Sequence, residues 1–439
     1  MYFSKSLKLK FNIMIQYRAI QKRVCVKSAS FLFFLSLLFA FQPHIYAQET
    51  EDFVEFTGTI VSDKSGKTLE YASISVVGSN ISTVSNSEGE FSIKVPSDLS
   101  NNDLLIAYLG FNNKVVSLGS LNSEKNVIKL TESIEQLKEV NISTKDPEKI
   151  VREAVERIKN NYTDEPLIMT AFYRESISKG KKYASLSEAV VEIYKQPYMS
   201  NAEDYARLFK SRKSTDYKKL DTLVLKLQGG PYNTMRFDIA KNRNLILDEE
   251  SLRNYSFSYT NITNLNNRPT HIISFRQLPS IEEPMFYGKL YIDAQSYAIT
   301  KVDISLNLEN KALASRFFVK RKPNNADVTP ITANYQIDYK ESNGKWFQSY
   351  SRLELGFKVN WKKKLFNSNY GVVIEMAITD WKNNTENVGL KNTEKLRSNV
   401  ILVDKTSGFT DPDFWGEYNI IEPEKSIENA IDKIQRKLN

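Results

Sequence analysis

The carboxylates best placed for acid–base chemistry lie on two consecutive predicted strands. Glu175 is on the first of these strands and Glu188 is on the second, and two further acids, Glu282 and Glu283, come directly before Pro284. A glycosidase needs two carboxyl groups about 5 to 10 Å apart in a cleft. The alternating pattern around these residues favours charges on exposed strand faces. A hydrolase that uses paired carboxylates is therefore an alternative hypothesis and not the leading one.

Few residues are suited to other catalytic or cofactor chemistry. The chain has one cysteine, Cys25, and two histidines, of which only His271 follows residue 47. His271 lies in a strand-like segment without a Gly-x-Ser-x-Gly motif, which favours an ordinary strand residue over a member of a catalytic triad. The sequence contains no P-loop motif and no dinucleotide-binding motif. We therefore assign no catalytic, cofactor-binding or metal-binding residue, and we expect no cofactor.

Aromatic and charged side chains cluster on the first of the two strands and near the C-terminus. Arg174 and Glu175 follow Phe172 and Tyr173. They could form a buried ion pair or a ligand contact at the mouth of a sheet, or a cross-strand pair on the surface, and both interpretations stay open. Trp415 belongs to an aromatic cluster that could be an exposed patch, although closing the core under the last helix is favoured. The candidate binding residues are Tyr173, Arg174, Glu175, Glu188, Phe357, Trp361 and Trp415.

The first 47 residues have the pattern of a signal peptide. They contain seven lysines and arginines and no acid, and an apolar run over 29–41 precedes Ala47 and Gln48. The run is too short for a comfortable membrane span, so we predict no transmembrane helix in the mature chain. Without these residues, 53 basic side chains remain against 52 acidic ones, and the net charge falls from +8 to +1. We therefore expect export to the periplasm or the outer membrane and no nucleic-acid partner.

A small β-sandwich is predicted from residue 48 to residue 130. Short apolar alternations are separated by turns that contain Gly58, Gly78, Gly89 and Gly110. Residues 56–130 resemble the carboxypeptidase-regulatory-like domain, a transthyretin-like sandwich that often follows the signal peptide in Gram-negative envelope proteins. In metallocarboxypeptidases this module is an accessory to a separate zinc domain. The resemblance therefore implies no peptidase activity.

The remainder of the chain is predicted to be a linker over 131–145 followed by an α+β domain over 146–439. Asp146 and Pro147 mark the start of an amphipathic helix, and Asn343-Gly344 indicates a type I′ hairpin turn. Residues 201–221 are expected to form a short helix or an excursion. A C-terminal helix is predicted to begin near Ser426 and to cover the apolar face of the sheet.

The fold class expected from these patterns is mainly β with a few helices. An N-terminal β-sandwich is followed by a large curved antiparallel sheet covered by helices. Segments 170–175, 186–189, 288–293 and 414–423 resemble segments of Bacteroidota envelope proteins that carry the same N-terminal module. The strand-rich part is also similar to the lipoprotein-carrier fold.

The leading functional hypothesis is a non-enzymatic adaptor or binding protein of the cell envelope. Its partner would be another envelope protein, or an apolar or glycan ligand, and Phe357 and Trp361 would line the concave side of the sheet. The alternatives are the hydrolase and a structural scaffold of an outer-membrane assembly.

Overall fold

Two small sheets form the N-terminal part of the chain in the computed structural model, which describes residues 52–133, 146–215, 230–318, 326–362, 366–397, 407–408 and 414–429. One sheet has the order β4-β1-β7 and the other has the order β3-β2-β5-β6. The strands are β1 (Phe53–Ser62), β2 (Ser73–Val76), β3 (Ser82–Val84), β4 (Glu90–Pro96), β5 (Asp103–Ala107), β6 (Lys114–Ser117) and β7 (Asn126–Leu130).

The sandwich forms because alternate apolar side chains of both sheets face a common core. Ile74 on β2 and Phe91 and Ile93 on β4 are buried in it. Gly89 is required in the turn before β4. Its φ is +75°, and a Cβ atom added there would lie 2.8 Å from the Cβ atom of Thr68. The predicted N-terminal sandwich is confirmed.

A ten-stranded antiparallel sheet occupies most of the described residues after 146. Its order is β11-β12-β13-β14-β15-β16-β17-β8-β9-β10, and the two-residue strand β18 (Ser407–Gly408) lies parallel to β10. The strands are β8 (Leu167–Lys179), β9 (Lys182–Lys195), β10 (Tyr205–Thr215), β11 (Tyr255–Leu265), β12 (Arg268–Gln277), β13 (Phe286–Asp293), β14 (Ile299–Leu306), β15 (Ala326–Ser342), β16 (Lys345–Trp361) and β17 (Ser368–Asn383).

One face of this sheet, called the helix face, packs against short helices. They are α1 (Pro147–Glu156), α2 (Ile158–Asn161), α3 (Gly230–Met235), α4 (Glu249–Leu252) and α5 (Lys311–Phe318). The predicted start of α1 is confirmed, because the side chain of Asp146 accepts hydrogen bonds from the first turn and Pro147 follows it. Phe357 and Trp361 lie on the helix face, where they are only 2% and 5% exposed.

The burial of Phe357 and Trp361 contradicts the expectation that they line a ligand-binding concave side of the sheet. Both belong to the apolar core, and the ring of Phe318 from α5 packs edge-on against Phe357 with 5.7 Å between the ring centroids. The alternation along β16 identified the correct face. It did not show that α5 and the preceding helices already cover that face.

The opposite face, called the sandwich face, packs against the sandwich and against the C-terminal segment, residues 414–429. Val84 from β3, Trp415 and Ile421 meet Phe172 and Val190 of the sheet in one apolar cluster. Residues 425–429 are helical, and Ile427 packs against Leu186 on this face. The C-terminal helix therefore begins on the sandwich face and not on the apolar helix face that it was predicted to cover. Residues 430–439 lie outside the described residues.

A third correction concerns residues 201–221, which were expected to form a helix or an excursion and of which residues 216–221 lie outside the described residues. Residues 205–215 instead form β10, which pairs along its length with β9. Residues 51–439 form one compact unit. Within the described ranges, no helix is long and apolar enough to span a membrane.

Candidate functional site

Five charged residues of alternating sign form a row across the sandwich face, and each comes from a different strand. Arg352 on β16 lies opposite Glu375 on β17, which lies opposite Arg174 on β8. Arg174 lies opposite Glu188 on β9, and Glu188 lies opposite Arg212 on β10. These five residues are called the charge row. Side chains directly opposite each other in antiparallel strands are close enough to interact.

Glu188 forms ion pairs with both of its neighbours in the charge row. Its Oε1 lies 2.7 Å from Nε of Arg174 and its Oε2 lies 2.8 Å from Nε of Arg212, and the side chains of Glu188 and Arg174 are buried. Burial alone would raise the pKa of Glu188, but the two guanidinium groups lower it below its usual value. Arg174 also donates from Nη2 to the carbonyl oxygen of Ile421 at 2.8 Å. The arginine thus connects the sheet to the C-terminal segment.

The other end of the charge row contacts the sandwich. The hydroxyl of Tyr350 donates to Oε1 of Glu375 at 2.9 Å, and the ring of Tyr71 from the sandwich stacks on that of Tyr350 at 5.8 Å. The guanidinium of Arg352 lies 5.2 Å from the centroid of the Tyr71 ring. A cation over an aromatic face is attracted to it. Through these contacts Tyr71 connects the sandwich to the charge row.

Glu175 and Glu188 do not form a catalytic pair. The register places Arg174 opposite Glu188, so Glu175 points to the other face of the sheet. Both carboxylates are buried, which contradicts the expectation of exposed charges. Glu175 accepts a hydrogen bond from the hydroxyl of Tyr173 at 2.9 Å, and burial raises its pKa to about 7.

The surface alternative for Arg174 and Glu175 is therefore wrong, because both side chains are buried. The buried ion pair is formed by Arg174 with Glu188. The other acidic pair, Glu282 and Glu283, is exposed between β12 and β13. His271 lies in β12 as predicted, and its Nδ1 is 3.0 Å from the hydroxyl of Tyr259.

The C-terminal segment lies between the sandwich and the sheet. Trp415 is buried, and its ring packs edge-on against Phe172 at 5.4 Å and lies 4.8 Å from the guanidinium of Arg212. Asn419 bonds to the backbone of Lys94 on β4 in both directions. Its Oδ1 accepts from the Lys94 amide at 2.7 Å, and its Nδ2 donates to the Lys94 carbonyl at 3.0 Å. Trp415 is thus a packing residue, as favoured from its sequence context.

A cleft of about 580 Å³ lies beside the charge row, between the sandwich and the sheet. Its floor carries a polar cluster centred on Lys301, whose Nζ lies 2.9 Å from Oδ1 of Asp338 and 3.3 Å from Oδ1 of Asp303. Gln336 donates to the other oxygen of Asp338 at 2.9 Å. Burial would lower the pKa of Lys301, but the two carboxylates raise it above its usual value. The lysine is therefore held in its charged form.

The roof of the cleft comes from the sandwich and includes the partly exposed rings of Tyr71 and Tyr108. The charged side chains of the lining are nearly balanced, with three basic and four acidic groups. They are Glu70, Arg268, Lys301, Asp303, Asp338, Lys340 and Glu341. Burial lowers the pKa of Lys340 to about 8. The cleft therefore offers hydrogen-bonding groups and aromatic rings without a strong net charge.

These cleft residues were not predicted. Lys301, Asp303, Gln336 and Asp338 occupy polar positions of alternating hairpins, which usually face solvent. The sequence signal at these positions was the alternation of apolar and polar residues along each strand. It could not show that a second layer covers these positions.

A second cleft, of about 590 Å³, lies at the edge of the helix face near α1 and α3. Next to it, buried Lys195 contacts Asp204 and Asp238, each at 2.6 Å. Lys241, which lines this cleft, donates to the backbone carbonyls of three residues in the connection after β9. These lysines hold loops in place. In the part of the chain that the structure describes, no group of three or more His, Cys, Asp or Glu side chains could hold a metal ion.

Comparison with known proteins identifies the N-terminal module. Residues 56–142 match the family model of the CarboxypepD_reg-like domain. No curated protein matches the chain.

Three solved structures resemble parts of the chain. A DUF1329 family protein from Desulfovibrio piger is 13% identical over 57% of this chain and 97% of its own, with a TM-score of 0.24. A putative outer membrane lipoprotein-sorting protein domain from Vibrio parahaemolyticus is 14% identical over 58% of this chain and 100% of its own, with a TM-score of 0.24. Lipovitellin is 10% identical over 58% of this chain and 29% of its own, also with a TM-score of 0.24. At these TM-scores the likenesses establish no common function.

Proposed function

We propose that this chain is an exported binding protein of the cell envelope whose ligand occupies the cleft between the sandwich and the large sheet. The cleft is the observation that carries the proposal, because ligand sites form preferentially between packed layers and combine apolar surface with a few placed polar groups. The CarboxypepD_reg-like match over residues 56–142 supports a non-enzymatic accessory role for the sandwich.

The composition of the cleft favours a neutral, hydroxyl-rich ligand such as an oligosaccharide. Carboxylate, amide and ammonium groups on the floor can donate to and accept from sugar hydroxyls. The rings of Tyr71 and Tyr108 offer apolar faces on which a sugar ring can pack. The near balance of basic and acidic groups gives no advantage to a strongly charged ligand.

An apolar ligand on the helix face is less well supported, because Phe357 and Trp361 are already buried in the core. The charged members of the row are also enclosed, so Arg174 and Glu188 act as structural residues that hold the layers together. The cleft beside the charge row, in contrast, is lined by side chains that are partly exposed, and several of them are charged.

The experiment is isothermal titration of the protein with neutral oligosaccharides of about six sugar units, namely cello-, malto- and chitohexaose. We expect at least one to bind, and we expect Asp338→Asn to weaken binding by about tenfold, the equivalent of one hydrogen bond to a charged group. Asp164→Asn is the matched control, because Asp164 also pairs with a lysine, Lys345, at 3.3 Å but is exposed. Absence of binding to all three sugars, or equal effects of the two variants, would contradict the proposal.

A hydrolase is the second candidate, and a specific pair of acids favours it. Asp303 and Asp338 flank Lys301 in the cleft, and burial raises the pKa of Asp303 even though Lys301 opposes the shift. Two carboxyl groups with different environments suit acid–base catalysis. Mass spectrometry of the same hexasaccharides after incubation separates the two candidates. If the wild-type protein cleaves a hexasaccharide and Asp303→Asn abolishes the cleavage, the protein is a hydrolase rather than a binding protein.

Export is the remaining part of the proposal, with residues 1–47 as the signal peptide, residues 131–145 as a linker and residues 146–439 as the α+β domain. The intact mass of the protein recovered from the envelope fraction tests it. A chain that begins at Gln48 is expected, whereas an uncleaved chain in the cytoplasm would contradict export. A partner that co-purifies in stoichiometric amount would instead favour an adaptor or scaffold role.

A further inference from the structure

Basic and aromatic side chains are concentrated at one end of the large sheet. Five adjacent segments meet there, namely 177–183, 311–318, 326–331, 356–362 and 366–371. They contain seven lysines and arginines and a single acid, Asp327. Residues 48–439 as a whole have 53 basic and 52 acidic side chains, so this end has a local excess of positive charge. We call the exposed residues Lys181, Lys182, Arg316, Phe317, Lys358, Lys362 and Phe366 the basic tip.

The contacts between the strands bring these segments together. The amide of Gly180 in the β8–β9 turn donates to the carbonyl of Asn369 at the start of β17, at 2.9 Å. Trp361 at the end of β16 lies opposite Ala326 at the start of β15. The contact between Phe318 and Phe357 places the end of α5 beside β16. The basic tip is therefore one continuous end of the sheet, formed by five neighbouring strands and one helix.

Two large apolar side chains of the basic tip face solvent. Phe366 is 83% exposed and Phe317 is 56% exposed, while nearby Phe357 is only 2% exposed. Exposed aromatic side chains surrounded by cations are typical of surfaces that bind membranes. The rings enter the boundary between headgroups and acyl chains, and the cations interact with anionic headgroups.

We propose that the basic tip binds the surface of a membrane that contains anionic phospholipids. This end of the sheet would contact the surface of the bilayer. The cleft does not contribute to this surface, because none of its lining residues belongs to the basic tip. The inference is therefore independent of the oligosaccharide proposal.

The experiment is flotation with vesicles of phosphatidylcholine alone and with about one third phosphatidylglycerol. The variants are expressed from the full-length chain, so any contribution of residues 1–47 is the same in all of them. We expect binding only to the anionic vesicles, and we expect high salt to reduce it because surface charges are screened. The triple variant K181E/K182E/K362E should bind at least about tenfold more weakly, since each cation near an anionic surface contributes to binding.

A matched control and an apolar variant make the result specific. The triple variant K159E/K382E/K391E changes the same number of exposed lysines outside the basic tip and should bind like the wild-type protein. Phe366→Ser should weaken vesicle binding without changing the net charge. Equal binding to neutral vesicles, or equal losses in the two triple variants, would overturn the proposal. Binding to dextran sulfate without binding to vesicles would also overturn it, in favour of a soluble polyanion.

Discussion

Removal of Arg174 tests whether the charge row holds the layers of the protein together. The side chains of Arg174 and Glu188 are 2% and 0% exposed, and their ion pair is 2.7 Å long. Removing one partner of such a buried pair costs about 3 to 5 kcal/mol, and here it leaves the buried carboxylate of Glu188 with Arg212 as its remaining partner in the charge row. We expect Arg174→Met to lower the free energy of unfolding by this amount. Methionine fills much of the volume but cannot donate to the carbonyl of Ile421.

A double-mutant cycle separates the ion pair from the loss of packing. Glu188→Gln leaves Arg174 and Arg212 without their shared carboxylate and should cost a similar amount. Because the two residues are in contact, the double variant R174M/E188Q should be more stable than the sum of the single effects predicts, by about 1 to 3 kcal/mol.

The assay is urea unfolding followed by tryptophan fluorescence. Arg152→Met is the control, because Arg152 forms more exposed ion pairs with Glu148 at 2.9 Å and with Glu249 at 2.8 Å, and each surface pair contributes about 0 to 1 kcal/mol. A loss below about 1 kcal/mol for Arg174→Met would refute the reasoning, because it would lie well below the roughly 3 to 5 kcal/mol that removing one partner of a buried pair usually costs. Strictly additive effects of the two single variants would also refute it.

Three further predictions concern other buried or constrained positions. Burial raises the pKa of Glu175 from 4.5 to about 7, so this residue lowers the stability of the folded protein by about 3 kcal/mol as the pH rises through this range. Glu175→Gln should make stability fall less between pH 5 and pH 8 in unfolding measurements, while the contribution of Glu422, whose pKa is also raised to about 7, remains. An unchanged pH profile would count against it. Gly89→Ala should lower the free energy of unfolding by about 1 to 3 kcal/mol more than Gly66→Ala. Both glycines have positive φ, but only at Gly89 would the added Cβ atom clash with neighbouring atoms. Equal changes in melting temperature would disprove the clash. Asn419→Ala should cost about 1 to 2 kcal/mol and speed proteolysis of the C-terminal segment, since two hydrogen bonds to Lys94 are lost. An unchanged proteolysis rate would show that these bonds do not hold the segment.

Features with a local cause were predictable. Asn343 and Gly344 both have positive φ, as a two-residue type I′ turn requires, and the hairpin of β15 and β16 forms around them. Asp146 accepts hydrogen bonds from the first turn of α1 for the reason that its position suggested. Such signals depend on a few consecutive residues and not on the rest of the fold.

β10 was missed because it lies near the edge of the sheet. It pairs fully only with β9, and the pairing slips between Leu208 and Lys210, which interrupts the alternation of period two. Lys210 and Arg212 are half-buried under the C-terminal segment rather than exposed to solvent. Charges in such a segment look like a loop until the covering layer is known.

Arg174 and Glu188 were among the candidate residues, but the arrangement of the charge row was not predicted, because register over long distances decides it. Arg174 and Glu375 are far apart in the sequence, yet β8 and β17 place them opposite each other. A bulge at Asp338 and Tyr339 changes the register that the Asn343-Gly344 turn would otherwise impose. Burial of the charge row also depends on the sandwich and the C-terminal segment, which no local pattern connects to these strands.

The charge row also has a consequence for how the strands find their alignment. A slip of one residue in any of the five strands would turn its charged side chain towards the apolar helix face and leave its neighbours unpaired. A single hairpin contains at most two of the five charges. The β8–β9 hairpin contains Arg174 and Glu188 and the β16–β17 hairpin contains Arg352 and Glu375, so the complete row forms only when the two hairpins pair with each other and with β10. The charged side chains, which seem poorly suited to a buried sheet, therefore destabilise any misaligned pairing of its strands.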